Sequence, residues 1–356
     1  MNLNDLGWSD SHTTDFSPHA AAGLVPGRVS EQHRGAYVVL AEAGELRADL
    51  AGRLTHGAAA GDLPAVGDWV AVAPRPEEGA ATIQAVLPRR TKFSRKVAWA
   101  AAEEQVLAAN IDTVFLVSSL NADFNLRRLE RYLTLAWESG AKPVIVLTKT
   151  DLCEDVTTRV LEVEAIAFGV PVHAISSITG DGLDLVRSHL SPGRTIALLG
   201  SSGVGKSTLV NTLAGEELLA VREIRESDGE GRHTTTHRQL VLLPGGGLVL
   251  DTPGMRELQL WESSEGLGET FSDVEELAAR CRFNDCAHRT EPGCAIRAAL
   301  DDGTLELGRW TSYQKLQREL EHLERRLDKR LQSEARKRWA KVGAEGRANM
   351  RLKGRR

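Results

Sequence analysis

The sequence predicts a multidomain chain: a small OB-fold β-barrel, then an α/β domain, then a helical metal-binding region. Three observations carry that expectation. Short β-rich runs broken by Gly and Pro fill residues 24–88. From Asp112 onward, apolar strand-like runs alternate with amphipathic helix-like runs. After Gly266 the strands stop, and three of the four cysteines fall between 281 and 294. The 356 residues suit two or three domains at about 150 residues each.

Residues 1–22 are polar and without periodicity, so they are expected to be disordered. Residues 23–90 contain Gly35-Ala-Tyr-Val-Val-Leu40, Gly67-Asp-Trp-Val-Ala-Val72 and Ala81-Thr-Ile-Gln-Ala-Val-Leu87. Regular short strands of this kind fit a small closed barrel, for which the OB-fold is the common five-stranded solution. The α/β domain is expected over 91–265. Its strands are Thr113–Val117, Pro143–Leu147, Val172–Ile175, Thr195–Leu199, Gln239–Leu243 and Leu248–Leu250. Its helices are Leu126–Glu138, Val156–Phe168 and Lys206–Leu213. A helical metal-binding domain over 266–334 and a basic tail over 335–356 follow. Tyr313, Leu316, Leu320, Leu323 and Leu327 recur at spacings of 3, 4, 3 and 4, an apolar stripe on one helix face. Two or so heptads are too few for a coiled coil, so the stripe should pack on its own domain.

Hydrophobic residues make up 42% and charged residues 26%, ordinary for a globular protein. No apolar run approaches the roughly 20 residues that span a bilayer. The first basic residue is Arg28 and no apolar stretch precedes it, so no secretory signal is expected. Four cysteines do not make a disulfide scaffold at this length. The net charge of −5 hides an asymmetry: residues 309–356 carry 16 Lys/Arg and 6 Asp/Glu, leaving an acidic body of net −15. A strongly basic end points either to a polyanion partner or to a solvated helical tail.

Gly200-Ser201-Ser202-Gly203-Val204-Gly205-Lys206-Ser207 matches G-x-x-x-x-G-K-[ST] between a strand and a helix, with Thr208 next in that helix. The glycines let backbone N–H groups turn inward as an anion nest, and the helix N-terminus adds further donors. Lys206 would neutralise the β- and γ-phosphates, and the Ser207 hydroxyl would ligate Mg²⁺. Asp251-Thr-Pro-Gly254 follows the strand Leu248–Leu250, where a Mg²⁺-side carboxylate belongs and where the Gly254 N–H can sense the γ-phosphate. Thr148-Lys149-Thr150-Asp151 ends another strand. The Asp151 carboxylate is acceptor-only, so it suits the two adjacent donors of guanine and mispairs with adenine. The Lys149 stem can cover the base face. Ser176-Ser177 supplies a second base-contacting loop.

Thr-Lys-x-Asp followed by a Ser-rich loop resembles the base-recognition half of TRAFAC-class GTPases, most of which have Asn where Thr148 stands. The order of motifs differs from theirs. Base recognition at 148–151 and 176–177 precedes the phosphate loop at 200–207, the Thr run at 234–236 and Asp251–Gly254. The chain thus resembles a circularly permuted GTPase, a rearrangement tolerated because domain termini often lie close together. In that order the chain leaving Gly254 runs directly into the C-terminal region.

Cys281-x₄-Cys286-x-His288-x₅-Cys294 offers three thiolates and one imidazole, a complete tetrahedral shell for a structural ion. Zinc is the first choice, with iron the alternative. Cys153 lies apart as a free thiol, and isolated histidines such as His56 and His173 carry no signal.

The chain is similar to the RsgA (YjeQ, EngC) family of small-ribosomal-subunit biogenesis GTPases. The resemblance rests on Pro64-Ala-Val-Gly-Asp-Trp69, Gln105 through Asn110-Ile-Asp112, Arg232-His-Thr-Thr-Thr236, Asp251–Gly254 and Glu291-Pro-Gly-Cys294. It implies a cytoplasmic GTPase that binds the maturing small subunit, contacts 16S rRNA, is stimulated by that subunit and helps release another assembly factor. Met255 stands where Ras-like enzymes carry a water-orienting Gln, and a thioether cannot orient water. His233 is the candidate replacement, and Thr235 should complete the Mg²⁺ shell. Two other readings compete: a P-loop ATPase, and a non-catalytic RNA-binding module holding nucleotide as a structural ligand. No self-complementary patch is visible, so a monomer is the default.

Overall fold

The computed structural model describes residues 1–33, 35–57, 59–96, 104–219, 238–251, 265–323 and 325. His233, Thr235 and Gly254 lie outside the described residues, as does the tail from 326.

The β-rich runs near the N-terminus become five strands: β1 (Val25–Gln32), β2 (Tyr37–Ala41), β3 (Gly44–Leu50), β4 (Trp69–Arg75) and β5 (Ala80–Val86). β1 pairs with both β2 and β4, and β3 runs parallel to β5, so the order 1-2-3-5-4 closes on itself as a barrel. Alternate residues point inward, and Val29, Tyr37, Val39, Val70, Val72 and Ile83 fill the interior. The Pro64–Trp69 motif has a structural reason. Asp68 is fully buried, accepts from the Ala65 N–H at 2.8 Å and pairs with Arg89 at 2.7 Å, which ties the loop before β4 to the chain leaving β5.

Residues 1–22 correct the expectation of disorder. Helix α1 (Asp10–Ala20) forms there, and Leu3, Leu6, His12 and Phe16 are buried. The segment folds because its few apolar groups find Trp69: the Trp8 ring meets it edge-on at 4.8 Å and the His12 ring lies 5.4 Å away. Arg28 on β1 is buried and donates to the carbonyls of Leu6, Gly67 (3.2 Å) and Asn110 (2.9 Å). One guanidinium therefore joins the N-terminal segment, the barrel and the start of the α/β domain. Burial draws its pKa down to about 10, so it stays charged at neutral pH.

A short helix, α2 (Gly52–Gly57), follows β3. The hairpin β6 (Lys92–Lys96) and β7 (Glu104–Ala109) was not expected, because its strands are polar or alanine-rich. The α/β domain then runs β8 (Thr113–Ser119), α3 (Leu126–Ser139), β9 (Lys142–Thr148), α4 (Val156–Glu164), β10 (Val172–Ala174), α5 (Leu183–Arg187), β11 (Thr195–Leu199), α6 (Lys206–Ala214), β12 (Gln239–Leu242) and β13 (Leu248–Asp251). β10, β9, β8, β11 and β13 lie side by side and parallel, and β12 closes the row antiparallel. Asp112 fastens the first strand to the fourth, accepting from the Thr195 N–H and from Arg194, each at 2.8 Å. β12 touches β1 at Gln239–Glu31, so barrel and α/β sheet are continuous.

One face of this sheet packs with α5 and α6 through Phe115, Val146, Ile196, Leu198 and Leu209. The opposite core runs without a break from the sheet through α3 into the C-terminal helices. Those are α7 (Glu265–Thr270), α8 (Ser272–Ala279), α9 (Ala295–Asp301) and a helix over 307–323, here α10. Tyr313, Leu316 and Leu320 of the apolar stripe are buried in that core beside Trp310, so the stripe packs on its own chain. Leu327 lies outside the described residues.

Candidate nucleotide site and metal centre

Parallel strands place their C-terminal ends, and the loops that follow, on one edge of a sheet. Here that edge carries the Thr148 end of β9, the loop after β10, the phosphate loop after β11 and the Asp251 end of β13. Consecutive strands β8, β9 and β10 extend to one side and β11 begins the other, so the crevice at the direction change lies between β8 and β11.

Gly200 opens the phosphate loop because nothing larger fits: a Cβ there would stand 2.4 Å from the Val117 carbonyl oxygen. Ser201, Ser202, Gly203, Val204 and Gly205 carry the turn, and α6 starts at Lys206 with Ser207 and Thr208 in its first turn. The Lys206 Nζ donates to the carbonyls of Gly200 (2.8 Å) and Ser201 (2.5 Å). The positive charge is thus held against the backbone that would cradle phosphate.

The base-recognition loop is braced directly on the phosphate loop. Thr148, where most TRAFAC members have Asn, is buried, and its hydroxyl donates to the Val204 carbonyl at 2.6 Å. Lys149 takes a positive φ of 62° just after the strand ends, and its Nζ donates to the Gly203 carbonyl at 2.8 Å. The Lys149 stem therefore spans the space between the loops. Thr150 and Asp151 form a short 3₁₀ turn. The buried Ser176 donates from its hydroxyl to Asp151 Oδ1 at 2.7 Å and accepts from the N–H groups of Ile178 and Thr179. That hydrogen bond orients the carboxylate and leaves its second oxygen for another donor. Ser177 sits beside it, half-exposed. Asp251 ends β13 next to β11, in register with the phosphate-loop strand.

Further along the chain, Cys281, Cys286, His288 and Cys294 bring their donor atoms within 4.8 Å of one another. His288 Nδ1 lies 3.5 Å from both Cys281 Sγ and Cys294 Sγ, and those two sulfurs are 4.0 Å apart. Donors about 2.0–2.3 Å from a tetrahedral ion stand about 3.3–3.8 Å from one another, so the cluster fits one structural zinc. Glu291 shapes the loop. Its carboxylate accepts from the N–H groups of Ala287 (3.2 Å), Arg289 (2.8 Å) and Thr290 (2.9 Å). Hydrogen bonds from its own amide and these three hold its pKa down at about 2. The His288 ring rests edge-on against Trp310 at 5.5 Å, fixing the cluster to α10. Cys153 lies apart as a free thiol.

Fold and site together define a circularly permuted P-loop GTPase with an OB-type barrel before it and a Cys₃His cluster after it. The family model described as RsgA GTPase matches residues 86–261, and that described as 50S ribosome-binding GTPase matches 195–329. A protein of Opitutus terrae named "Small ribosomal subunit biogenesis GTPase RsgA" is 51% identical, each chain covered in full. The protein of the same name from Streptomyces avermitilis is 47% identical over 99% of this chain and 94% of its own. Among solved structures, YjeQ from Thermotoga maritima superposes with a TM-score of 0.63 at 29% identity, covering 83% of this chain and 98% of that one. A structure described as YloQ, a circularly permuted GTPase, gives 0.60 at 26% identity, covering 84% and 96%. The chain belongs to the RsgA family of GTPases.

Sequence reasoning did not single out Arg28, Glu130 or Arg309. All three are buried charged side chains, and each has a partner far away in sequence: Asn110 for Arg28, and Glu130 and Arg309 for each other.

Proposed function

We propose that this chain hydrolyses GTP during late maturation of the small (30S) ribosomal subunit, in the cytoplasm and as a monomer. In this reading it contacts 16S rRNA, is stimulated by the subunit and helps release another assembly factor. The observation that carries the GTP reading is the hydrogen-bonded contact between the Thr148–Asp151 loop and the phosphate loop on one sheet edge. The ribosomal role comes from the names of the relatives and from the basic 309–356 end, since neutralising phosphates supplies most RNA affinity.

Residue roles follow from chemistry. Asp151, oriented by Ser176, accepts from the guanine N1–H and exocyclic amine, while Lys149 and Thr150 flank the base and Ser177 lines the second loop. The N–H groups of residues 200–208 surround the phosphates and Lys206 neutralises them. Ser207 and Thr235 hold Mg²⁺, with Asp251 on the metal's side. A Mg²⁺ ion held there would supply positive charge to offset the negative charge developing on the phosphates. Gly254 reads the γ-phosphate through its N–H, and His233 orients the attacking water in place of the Gln that Met255 supplants. Cys281, Cys286, His288 and Cys294 hold one zinc.

Phosphate release measured with GTP and ATP, with and without purified small subunits, tests this reading. GTP turnover should rise with subunits, and ATP should not compete. Asp151→Asn should shift preference toward xanthine nucleotides by about 10²-fold or more, the scale set by breaking a charged, oriented hydrogen-bond pair. ATP turnover equal to that of GTP, or GTP turnover untouched by subunits, overturns it.

A further inference from the structure

The zinc-bearing region and the nucleotide-binding sheet meet on one helix, α3. Arg309 at the start of α10 is buried and makes a fork onto α8, donating to the two Asp273 oxygens at 2.7 and 2.6 Å. The same guanidinium donates to Glu130 of α3 at 3.1 Å and to the Thr270 carbonyl at 2.9 Å. Glu130 has no exposed surface and also accepts from Arg127 at 2.6 Å, which reaches Glu306 at 2.5 Å. One turn along α3 from Arg127, Arg131 grips Glu319 of α10 through two hydrogen bonds of 2.7 and 2.8 Å. Backbones approach closely beside these pairs: a Cβ on Gly266 of α7 would stand 2.5 Å from the Thr134 carbonyl oxygen.

The strand that feeds α3 ends among the nucleotide loops. The Val117 carbonyl of β8 abuts Gly200, the first residue of the phosphate loop. The Ser118 carbonyl accepts from the Thr148 hydroxyl at 3.5 Å, and the Leu120 N–H donates to the Thr148 carbonyl at 2.9 Å. A displacement of α3 is therefore felt at both loops. Only five residues, 121–125, separate that contact from the helix.

We propose that Arg131 and Glu319 are positioning residues for subunit-stimulated GTP hydrolysis, carrying movement of the zinc-bearing region through α3 and β8 to the phosphate loop. A paired guanidinium–carboxylate fork sets both distance and angle, so it passes a displacement on. Its worth as a stabiliser is small. Both side chains are 29% exposed, and such surface pairs contribute about 0–1 kcal/mol. The basic stretch 309–356 includes α10 from Arg309 on, so a polyanion bound along that helix acts on the element that holds Glu319. The proposal rests on the reading above that small subunits stimulate turnover.

The test is a charge-swap cycle in the full-length chain: Arg131→Glu, Glu319→Arg, and both together. Each single swap should lower the subunit-stimulated kcat about tenfold, equivalent to about 1.4 kcal/mol of barrier. Basal kcat, KM for GTP and co-sedimentation with subunits should stay within about twofold, since neither residue touches nucleotide. The double swap should recover the stimulated rate to within about twofold, as expected of a pair that acts as a unit. Glu319→Gln, which removes the charge with little change of shape, should give a smaller loss with the same split. Stimulated turnover within about twofold of wild type in both single swaps would falsify the proposal, on the scale of ordinary surface substitutions. So would loss of co-sedimentation, or a double swap that fails to recover. If wild type itself is not stimulated by subunits, the functional reading fails first, and the proposal with it.

Discussion

The GTPase sheet is joined to its two neighbours by different chemistry. On the barrel side the junction is mostly backbone and aromatic surface. β1 pairs with β12, Arg28 caps three carbonyls from three segments, and Trp8 and His12 meet Trp69 while Phe16 packs on Trp8. On the zinc side the junction is a row of carboxylate–guanidinium pairs along α3, laid over a shared apolar core. The Arg28 cation is buried and so little exposed to salt, which favours one pose of the barrel. On the zinc side Glu130–Arg309 is buried, while Arg131–Glu319 is partly exposed and open to screening by salt. The zinc-bearing region is thus the neighbour better suited to move in response to a bound partner.

The largest effect should come from breaking the zinc side at its root. Metal binding in small zinc domains is worth on the order of 10 kcal/mol. Cys286→Ser, or a strong chelator, should expose the amides of α8 and α9 to hydrogen exchange while β1 and β4 stay protected. Equal loss of protection in the barrel would mean the two junctions are one cooperative unit. Next comes the barrel side. Arg28→Met leaves buried carbonyls of Leu6, Gly67 and Asn110 without their donor and should cost about 3–5 kcal/mol in denaturant unfolding. A cost below about 1 kcal/mol would show that the guanidinium is incidental to the junction.

The smallest effect is a pH dependence confined to the barrel side. Burial first, then the Arg90 and Arg28 cations, draws the His12 pKa down to about 4 from its ordinary 6.5. The folded chain therefore prefers His12 neutral. Between pH 6.5 and 4 the unfolded chain binds the extra proton, so stability is full above 6.5 and falls as the pH drops through that window. The loss should reach at most about 3 kcal/mol. His12 stands at the third position of α1, where its Nδ1 accepts from the Ser9 N–H at 3.1 Å. His12→Gln keeps a capping acceptor there without the titration. It should flatten the pH profile of the melting temperature, and a slope unchanged from wild type would place the titration elsewhere.

The motifs that were legible in the sequence are those whose chemistry is local. The phosphate loop, Thr148–Asp151 and the Cys₃His spacing each place donors or acceptors within a few residues of one another. Each was recognisable because its spacing matches the ligand that its residue types suit. The barrel and α/β alternation were legible through short-period patterns of apolar residues. The N-terminal helix was not. Leu3, Leu6 and Phe16 follow no helical stripe, and the Trp69 ring that Trp8 and His12 meet lies some sixty residues on. Thr148 stands where most TRAFAC-class GTPases have Asn. Its hydroxyl nonetheless braces the phosphate loop, because β8 and β9 bring it to the Val204 carbonyl.

By itself the sequence determined the chemistry of the site and the order of its parts. Residue type and short spacing decide what a loop can bind, and motif order decides that the domain is permuted. Only the tertiary structure decided how the three regions are joined. Arg28 and Asn110 are 82 residues apart, and Glu130 and Arg309 are 179 apart. No local pattern links residues at such distances. A buried charge finds its partner only when the packed core closes around both, because only there does leaving it unpaired cost several kcal/mol.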